Sequence, residues 1–257
     1  MFPEKFELKN HCSIVTGAAQ GLGKYMALAL AEAGSDIVIS DINIELAKKT
    51  VREIEGKGVK ALAVSMDVRN QKEISTMIDI VLDNFGRIDV LINNAGICKH
   101  INAEVMGYKD WFDIIDVNLN GVFLVSQAVG NVMIKHKKGS IINISSMSGI
   151  IVNTPQSQAA YNTSKAGVIM LTKSLASEWA KYNVRVNTIA PGYMSIGMTK
   201  EFFMKKTDMT KRWISLTPMG RAGEAEELGG IAIYLASNAS SYVTGGVFTI
   251  DGGYTIW

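Results

Sequence analysis

Tyr161 and Lys165 stand four residues apart in the run Tyr161-Asn162-Thr163-Ser164-Lys165. On a helix that spacing puts both side chains on one face, an ammonium beside a phenol. A free tyrosine has a pKa near ~10 and is a poor base at neutral pH. A fixed positive charge favours the phenolate and lowers that value. A tyrosine tuned in this way takes a proton from an alcohol or returns one to an alkoxide. That is the acid–base half of moving a hydride on and off a carbonyl carbon. The pair alone is weak, because the chain holds 8 tyrosines and many lysines. A solvated helix pair contributes ~0.2–0.5 kcal/mol and no chemistry. Ser146 upstream and a glycine-rich loop near the N-terminus give this pair its company.

Such residues need a frame. Short β-branched runs at Cys12–Thr16, Asp36–Ser40, Lys60–Ser65, Asp89–Ile92, Ser140–Ser145, Val184–Ala190 and Gly246–Ile250 read as strands. Runs such as Ile141-Ile142-Asn143-Ile144 suit strands buried on both faces of a parallel sheet. Helical segments lie between them, at about Gly21–Ala33, Ile44–Gly56, Gln71–Phe85, Val117–His136, Ala159–Tyr182 and Ala225–Ala236. This alternation predicts an α/β fold, a doubly wound parallel sheet of about seven strands with helices on both faces. With no linker, repeat or low-complexity tract, residues 1–257 read as one domain. Gly192 to Arg221 breaks the pattern. It is a non-strand stretch rich in large apolar residues (Tyr193, Met194, Met198, Phe202, Phe203, Met204, Met209, Trp213) and reads as a substrate lid after the sixth strand.

The first strand, Ser13-Ile14-Val15-Thr16, runs into Gly17-Ala18-Ala19-Gln20-Gly21-Leu22-Gly23 and then a helix. Strand, glycine turn and helix form a dinucleotide-binding arrangement. Glycines let backbone N–H groups approach a pyrophosphate, and the helix N-terminus adds partial positive charge. The spacing is G-x-x-x-G-x-G rather than the commoner G-x-G-x-x-G. Asp41 closes the second strand about 20 residues further on, where a carboxylate accepts hydrogen bonds from ribose hydroxyls. It would repel a 2′-phosphate. The glycine loop has no Arg or Lys before Gly23, and Ile42 follows Asp41. These features point to NAD rather than NADP. Asp67-Val68 after the third strand and Asn93-Asn94-Ala95-Gly96 after the fourth are loop chemistry by themselves.

Composition narrows the class. The chain has 257 residues, 47% of them hydrophobic, enough for an extensive core. With 26 basic and 24 acidic residues, the charge balance gives no sign of a nucleic-acid or membrane partner. Cys12 and Cys98 are the two cysteines; His11, His100 and His136 are scattered, without metal-ligand spacing. A reducing compartment fits this usage. Residues Met1 to Asn10 carry mixed charge and no apolar h-region, and no stretch reaches ~18 consecutive apolar residues. The expected location is cytoplasmic.

Thr16–Gly23 as TGAAQGLG, Asn93–Gly96 as NNAG, Asn118, Ser146, Tyr161-x-x-x-Lys165 and Pro191-Gly192 occur in that order. As a set they resemble the short-chain dehydrogenase/reductase family, from about Leu8 to the C-terminus. The resemblance implies a Rossmann-type NAD-binding domain with Tyr161 as acid–base residue. Lys165 would bond the nicotinamide ribose and, together with the charge of the oxidised nicotinamide, lower the tyrosine's pKa. Ser146 would hold the substrate oxygen, and its spacing to Gly149 fits the family's Ser-x-x-Gly. Asn118 would bend its helix and hold a water that relays protons beyond Lys165. Gly17, Gln20, Gly21, Leu22 and Gly23 would cradle the phosphates. Asp41, Asp67, Val68, Asn94 and Gly96 would serve the adenosine half and the space for the cofactor. Pro191, Gly192 and Met194 would line the nicotinamide. One departure stands out: Ile196 occupies the place of the family's threonine near the carboxamide, which leaves that contact to Ser195 or Thr199.

The segment Ser148–Gln158 joins Ser146 to Tyr161 and is rich in amides and hydroxyls. A polyhydroxylated substrate needs such partners. Ser148, Asn153, Gln156 and Gln158 are candidates, Ser148 and Asn153 above all, with Tyr193 from the lid. The wording SMSGIIVNTPQSQAAYNTSKAG resembles the polyol (sugar-alcohol) branch of the family, and gluconate 5-dehydrogenases are near it. That resemblance implies an NAD-dependent enzyme acting on a small polyol or sugar acid, assembled as a homotetramer. Within it, the aromatic end at Trp257 would pack into or wall off a neighbour's pocket. The alternatives are a 3-oxoacyl-thioester reductase and, more remotely, a non-catalytic NAD-sensing protein.

Overall fold

The structure is a computed structural model and describes residues 3–196, 203 and 207–257. Met198, Thr199, Phe202 and Met204, expected in the lid, lie outside the described residues. Seven parallel strands form the main sheet: β1 (Cys12–Thr16), β2 (Asp36–Asp41), β3 (Ala61–Ser65), β4 (Val90–Asn93), β5 (Gly139–Ile144), β6 (Val184–Pro191) and, late in the chain, β9 (Val247–Ile250). Their order is β3-β2-β1-β4-β5-β6-β9. Ile14 lies level with Val38 on one side and Leu91 on the other.

Alternation along each strand feeds two cores. Val15, Ile37, Ile39 and Ile142 point to one face, where they meet Leu30 of α1 (Gly21–Glu32) and Leu235 of α8 (Gly229–Ala236). Ile14, Val38, Leu91 and Ile141 point to the other. There they meet Met77 of α3 (Gln71–Phe85), Val125 and Val129 of α5 (Gly121–His136), and Leu175 of α6 (Ala159–Trp179). Burial on both faces explains why all six residues of β5 are inaccessible and why the strands read as continuous apolar runs. Local signals set the helix starts: the Asn43 side chain accepts from Leu46 N–H to open α2 (Ile44–Glu55), and Asn70 caps α3 in the same way.

Three elements differ from the sequence expectation. A helix α4 (Tyr108–Ile115) precedes the expected Val117 start, and a π turn at Asp116–Asn120 joins it to α5. Gly107 supplies no side-chain cap to mark its start; Tyr108, Trp111, Phe112 and Ile115 do recur at helical spacing, yet only Ile114 of α4 is buried, with Trp111 and Phe112 exposed. The continuous helical run Tyr108–His136 is long and apolar enough to cross a membrane. Val122, Val125, Val129 and Met133 are instead buried in the protein. Second, the stretch expected to lack strands holds β7 (Met194–Ser195), which pairs with β8 (Gly223–Glu224) and is followed by α7 (Asp208–Ser215). Third, Ala225–Leu228 is a 3-10 turn leading into α8 rather than its first turn.

Candidate active site

The chain leaves β1 for β2 on one side and reaches β4 on the other. In such a sheet ligands bind outside the carboxyl ends of the strands at that switch. Nearly every candidate from the sequence sits on this edge. Gly17 follows β1, Asp41 ends β2, Asp67 follows β3, Asn94 follows β4, Ser146 follows β5 and Pro191 ends β6. A cavity of about 440 Å³ opens there, lined by Gly17, Gln20, Asp41, Asp67, Val68, Asn94 and Gly96. Gly21, Leu22 and Gly23 form the adjoining first turn of α1. Pro191 and Gly192 are elsewhere on the edge, Gly192 N–H bonding Ile250 O at 2.9 Å. Met194 and Tyr193 line a smaller cavity of about 80 Å³ with Gly252.

The glycine turn fits a diphosphate. Gly17 has φ +60, and a Cβ there would lie 2.7 Å from Ala95 Cα. A Cβ on Gly23 would collide with Asn94 Nδ2. That amide donates to Thr16 O at 3.1 Å and Gly17 O at 2.8 Å, locking the turn from across the switch. Gln20 opens α1 without a side-chain cap, which leaves the first-turn N–H groups for an anion. The Asp41 carboxylate accepts from Ala19 N–H at 3.0 Å and Asn43 N–H at 2.9 Å, so it is fixed at the rim. These groups suit the diphosphate and ribose of a dinucleotide.

Sequence reasoning missed two cations in this cleft. Arg69 and Lys109 line it. Arg69 clasps Asp67, with Nη2 2.6 Å from Oδ2, and holds that carboxyl below its ordinary range. Asp67 therefore meets the cleft as half of an ion pair, with acceptor capacity left on its carboxylate. Lys109 pairs with Asp113 at 2.7 Å. Arg69 lies two residues past Asp67, but nothing in its spacing marks a cofactor cleft.

The four residues with candidate acid–base roles converge where β5, α6 and the π turn meet. Asn118 is fully buried in that turn. Its Oδ1 accepts from Ile97 N–H at 2.8 Å, and its Nδ2 donates to Ile97 O at 2.9 Å and Ser164 Oγ at 3.1 Å. Lys165 Nζ donates to Ile144 O at 2.8 Å and lies 5.6 Å from the Tyr161 ring centroid. Gly96 joins them: a Cβ there would stand 3.3 Å from Asn118 Oδ1 and 3.5 Å from Lys165 Nζ. Among the nearby serines, Ser145 spends its hydroxyl on Lys165 O at 2.7 Å, whereas Ser146 hydrogen-bonds Tyr161. The Ser-x-x-Gly spacing has a steric cause, since a Cβ at Gly149 would sit 2.6 Å from the Lys165 carbonyl carbon.

The electrostatics differ from expectation. Burial pushes the Tyr161 phenol up to about 12, and the Ser146 hydrogen bond is what pulls it back. Burial likewise brings Lys165 down to about 8. In the protein alone the burial of Tyr161 outweighs any pull from Lys165, and the expected lowering drew also on the charge of an oxidised nicotinamide.

A polar wall flanks this centre. Ser148 N–H donates to Ser146 Oγ at 3.1 Å. Tyr193 Oη accepts from Asn153 Nδ2 at 3.0 Å and Gln156 Nε2 at 2.9 Å. Trp213 Nε1 on α7 donates to Gln156 Oε1 at 2.9 Å, and its ring stacks on Tyr193 at 4.1 Å between centroids. Ser148, Asn153 and Tyr193, the candidate substrate contacts, are thus brought together beside Ser146, with Ser148 and Asn153 linked through Gln158, and Trp213 anchors the described part of the lid to them. Ile196 packs against the hydrophobic core, and Ser195 is in β7. Trp257 is 82% exposed, its Nε1 donating to Leu216 O at 3.2 Å.

Fold and site together define an oxidoreductase of the dinucleotide-binding α/β class, with tyrosine, lysine and serine at the reacting end. A family model described as enoyl-(acyl carrier protein) reductase matches residues 17–255. The chain belongs to the short-chain dehydrogenase/reductase family, whose members use nicotinamide cofactors. It is 43% identical to sorbose reductase SOU1 of Candida albicans, over 97% of this chain and 89% of that protein. It is 41% identical to the 3-oxoacyl-[acyl-carrier-protein] reductase FabG of Thermotoga maritima, over 97% of this chain and 99% of that one. The crystal structure of gox2181 superposes with a TM-score of 0.97 at 43% identity, covering 100% of both chains.

Proposed function

We propose that this protein is an NAD-dependent dehydrogenase that interconverts a secondary alcohol of a polyol or sugar acid with its ketone. The linked polar wall of Ser148, Asn153, Gln156, Gln158 and Tyr193 beside Ser146 and Tyr161 carries this reading. A wall built of amides and hydroxyls discriminates among hydroxylated substrates and offers little to an acyl chain. Asp41, fixed by two backbone N–H groups at the end of β2, supports NAD, because its charge opposes a 2′-phosphate.

A nicotinamide dinucleotide bound in the cleft supplies the hydride acceptor, and its oxidised ring adds the positive charge that Tyr161 needs to ionise. The chain does the rest. Ser146 holds the substrate oxygen and hydrogen-bonds Tyr161. Tyr161 takes the hydroxyl proton. Lys165, anchored to Ile144 O, bonds the ribose and passes the proton outward toward the Asn118 turn. The wall orients the remaining hydroxyls. Residues 192–221, with α7 clasped to Gln156, act as the lid.

The sorbose reductase likeness supports this substrate class. FabG matches at nearly the same identity, which keeps 3-oxoacyl-thioester reduction as the second reading. Self-association, a homotetramer on this reading, is supported by the exposed Trp111, Phe112 and Phe123 on α4 and α5 and by the exposed Trp257; the cytoplasmic location is proposed from the cysteine usage alone. Light scattering of the chain with and without Trp257 tests the last point; unchanged assembly and kinetics remove Trp257 from the account. The catalytic reading is tested with Tyr161→Phe. NAD reduction by the polyol that the wild type oxidises is expected to fall about 10²–10⁴-fold while nucleotide binding persists, and turnover near the wild-type rate overturns it.

A further inference from the structure

Gln158 precedes α6 and is 5% exposed. Its Nε2 lies 3.1 Å from Ser148 Oγ, 3.0 Å from Asn153 Oδ1 and 2.9 Å from Asn162 Oδ1. The opposite side of its amide faces Cys98, with Sγ to Oε1 at 3.9 Å. A thiol donates weakly, so this contact turns Oε1 toward Cys98 and Nε2 toward the three oxygens. No other hydrogen bond among the described residues reaches Ser148 Oγ, Asn153 Oδ1 or Asn162 Oδ1.

An amide nitrogen carries two protons. Three acceptors therefore share two donors, and one acceptor is left without a proton. Ser148 and Asn153 are buried, where an unmet acceptor costs ~1–3 kcal/mol, and Asn162, partly buried and at the shortest of the three distances, competes with them for the two protons. We propose that Gln158 is a specificity-determining positioning residue that holds the wall together, and that the surplus acceptor it creates is filled by a hydroxyl of the substrate beside the reacting carbon. The ligand this geometry calls for is an O–H donor. A polyol or aldonate supplies one and an unsubstituted acyl thioester does not. The inference rests on the polyol reading above and sharpens it. Gln158 acts through Ser148 and Asn153: Ser148 N–H bonds Ser146, and Asn153 Nδ2 bonds Tyr193.

The test uses the polyol that the wild type oxidises and its deoxy analogue lacking the hydroxyl next to the reacting carbon. kcat/KM for both is measured with saturating NAD for the wild type, Gln158→Leu and Gln158→Glu, with NADH affinity followed by fluorescence. The wild type is expected to favour the polyol strongly. In both variants at neutral pH the polyol value falls about 10–100-fold, corresponding to the cost of an unmet buried acceptor. The deoxy value changes less than about threefold, and NADH affinity holds. Lowering the pH toward the carboxyl range restores part of the polyol-to-deoxy ratio in Gln158→Glu, because a protonated carboxyl regains one donor. The carboxyl variant keeps the side chain's size, so a folding failure of the leucine variant does not end the test. A wild type that oxidises no polyol overturns the polyol reading and this inference with it. An active wild type whose ratio is unmoved by either substitution, or whose two substrates fall equally, overturns the role of Gln158 alone.

Discussion

The two halves of the cleft are built differently. In the cofactor half, the glycine turn and the end of β2 are held by side chains bonded to backbone, Asn94 to Thr16 O and Gly17 O, Asp41 to Ala19 N–H and Asn43 N–H, with the Arg69–Asp67 and Lys109–Asp113 pairs also lining the cleft. In the substrate half, side chains bond to side chains: Gln158 to Ser148, Asn153 and Asn162, Gln156 to Tyr193, and Trp213 to Gln156. Backbone-directed bonds fix a turn whatever the ligand. A side-chain mesh changes its surface with one substitution. The first arrangement suits a cofactor common to a family, and the second suits a substrate that differs among its members.

Substitutions at the centre should break the comparison hardest, since they touch neither half alone. Tyr161→Phe is expected to lower kcat by about 10²–10⁴-fold, the usual range for lost acid–base catalysis. Nucleotide affinity should change little; a parallel loss of binding would mean that the phenol serves the cofactor half instead. In the cofactor half, Asp41→Asn removes the charge while keeping an acceptor. The NAD-to-NADP preference should drop about tenfold, read from kcat/KM for each cofactor, with the polyol KM unchanged. A moved polyol KM would show that the halves are coupled.

Lys165 gives a pH signature. Its pKa is about 8 in the folded protein against ~10.4 unfolded. Between these values the unfolded state binds more protons, so its contribution to stability rises with pH across that window. Below pH 8 both states are charged and the full burial cost applies. Lys165→Met should therefore be more stabilising, relative to the wild type, at pH 7 than at pH 10.5, read from urea midpoints. The reverse order would place the ammonium in water. The smallest effect is expected for Trp213→Phe, which keeps the stack on Tyr193 and loses the N–H to Gln156. The polyol KM should rise about 2–10-fold, as for one net hydrogen bond, and cofactor affinity should not move.

The same contrast explains what the sequence disclosed. The seven strands of the sheet and the edge they share were legible because burial on both faces leaves unbroken apolar runs such as Ile141–Ile142. The glycine turn was legible because positive φ at Gly17 and Gly21 demands glycine at set intervals. The mesh around Gln158 was only a polar composition, because Gln156 meets Trp213 across 57 residues and Asn153 meets Tyr193 across 40. Helix α4 was overlooked although Tyr108, Trp111, Phe112 and Ile115 are spaced as on one helix face, because it is only two turns long and Gly107 gives it no side-chain cap. The high tyrosine pKa escaped because spacing reports that Lys165 is near Tyr161 and says nothing of how deeply both are desolvated.

The most direct measurement is the absorbance at the reduced-nicotinamide band for the purified protein with a panel of polyols, aldonates and 3-oxoacyl thioesters, each with NAD(H) and NADP(H). The account predicts reduction of NAD by a sugar alcohol or sugar acid, with NADP and the thioesters far behind. Turnover confined to NADPH and a 3-oxoacyl thioester would contradict it, and would mean that neither Asp41 nor the Ser148–Gln158 wall has the role assigned to it.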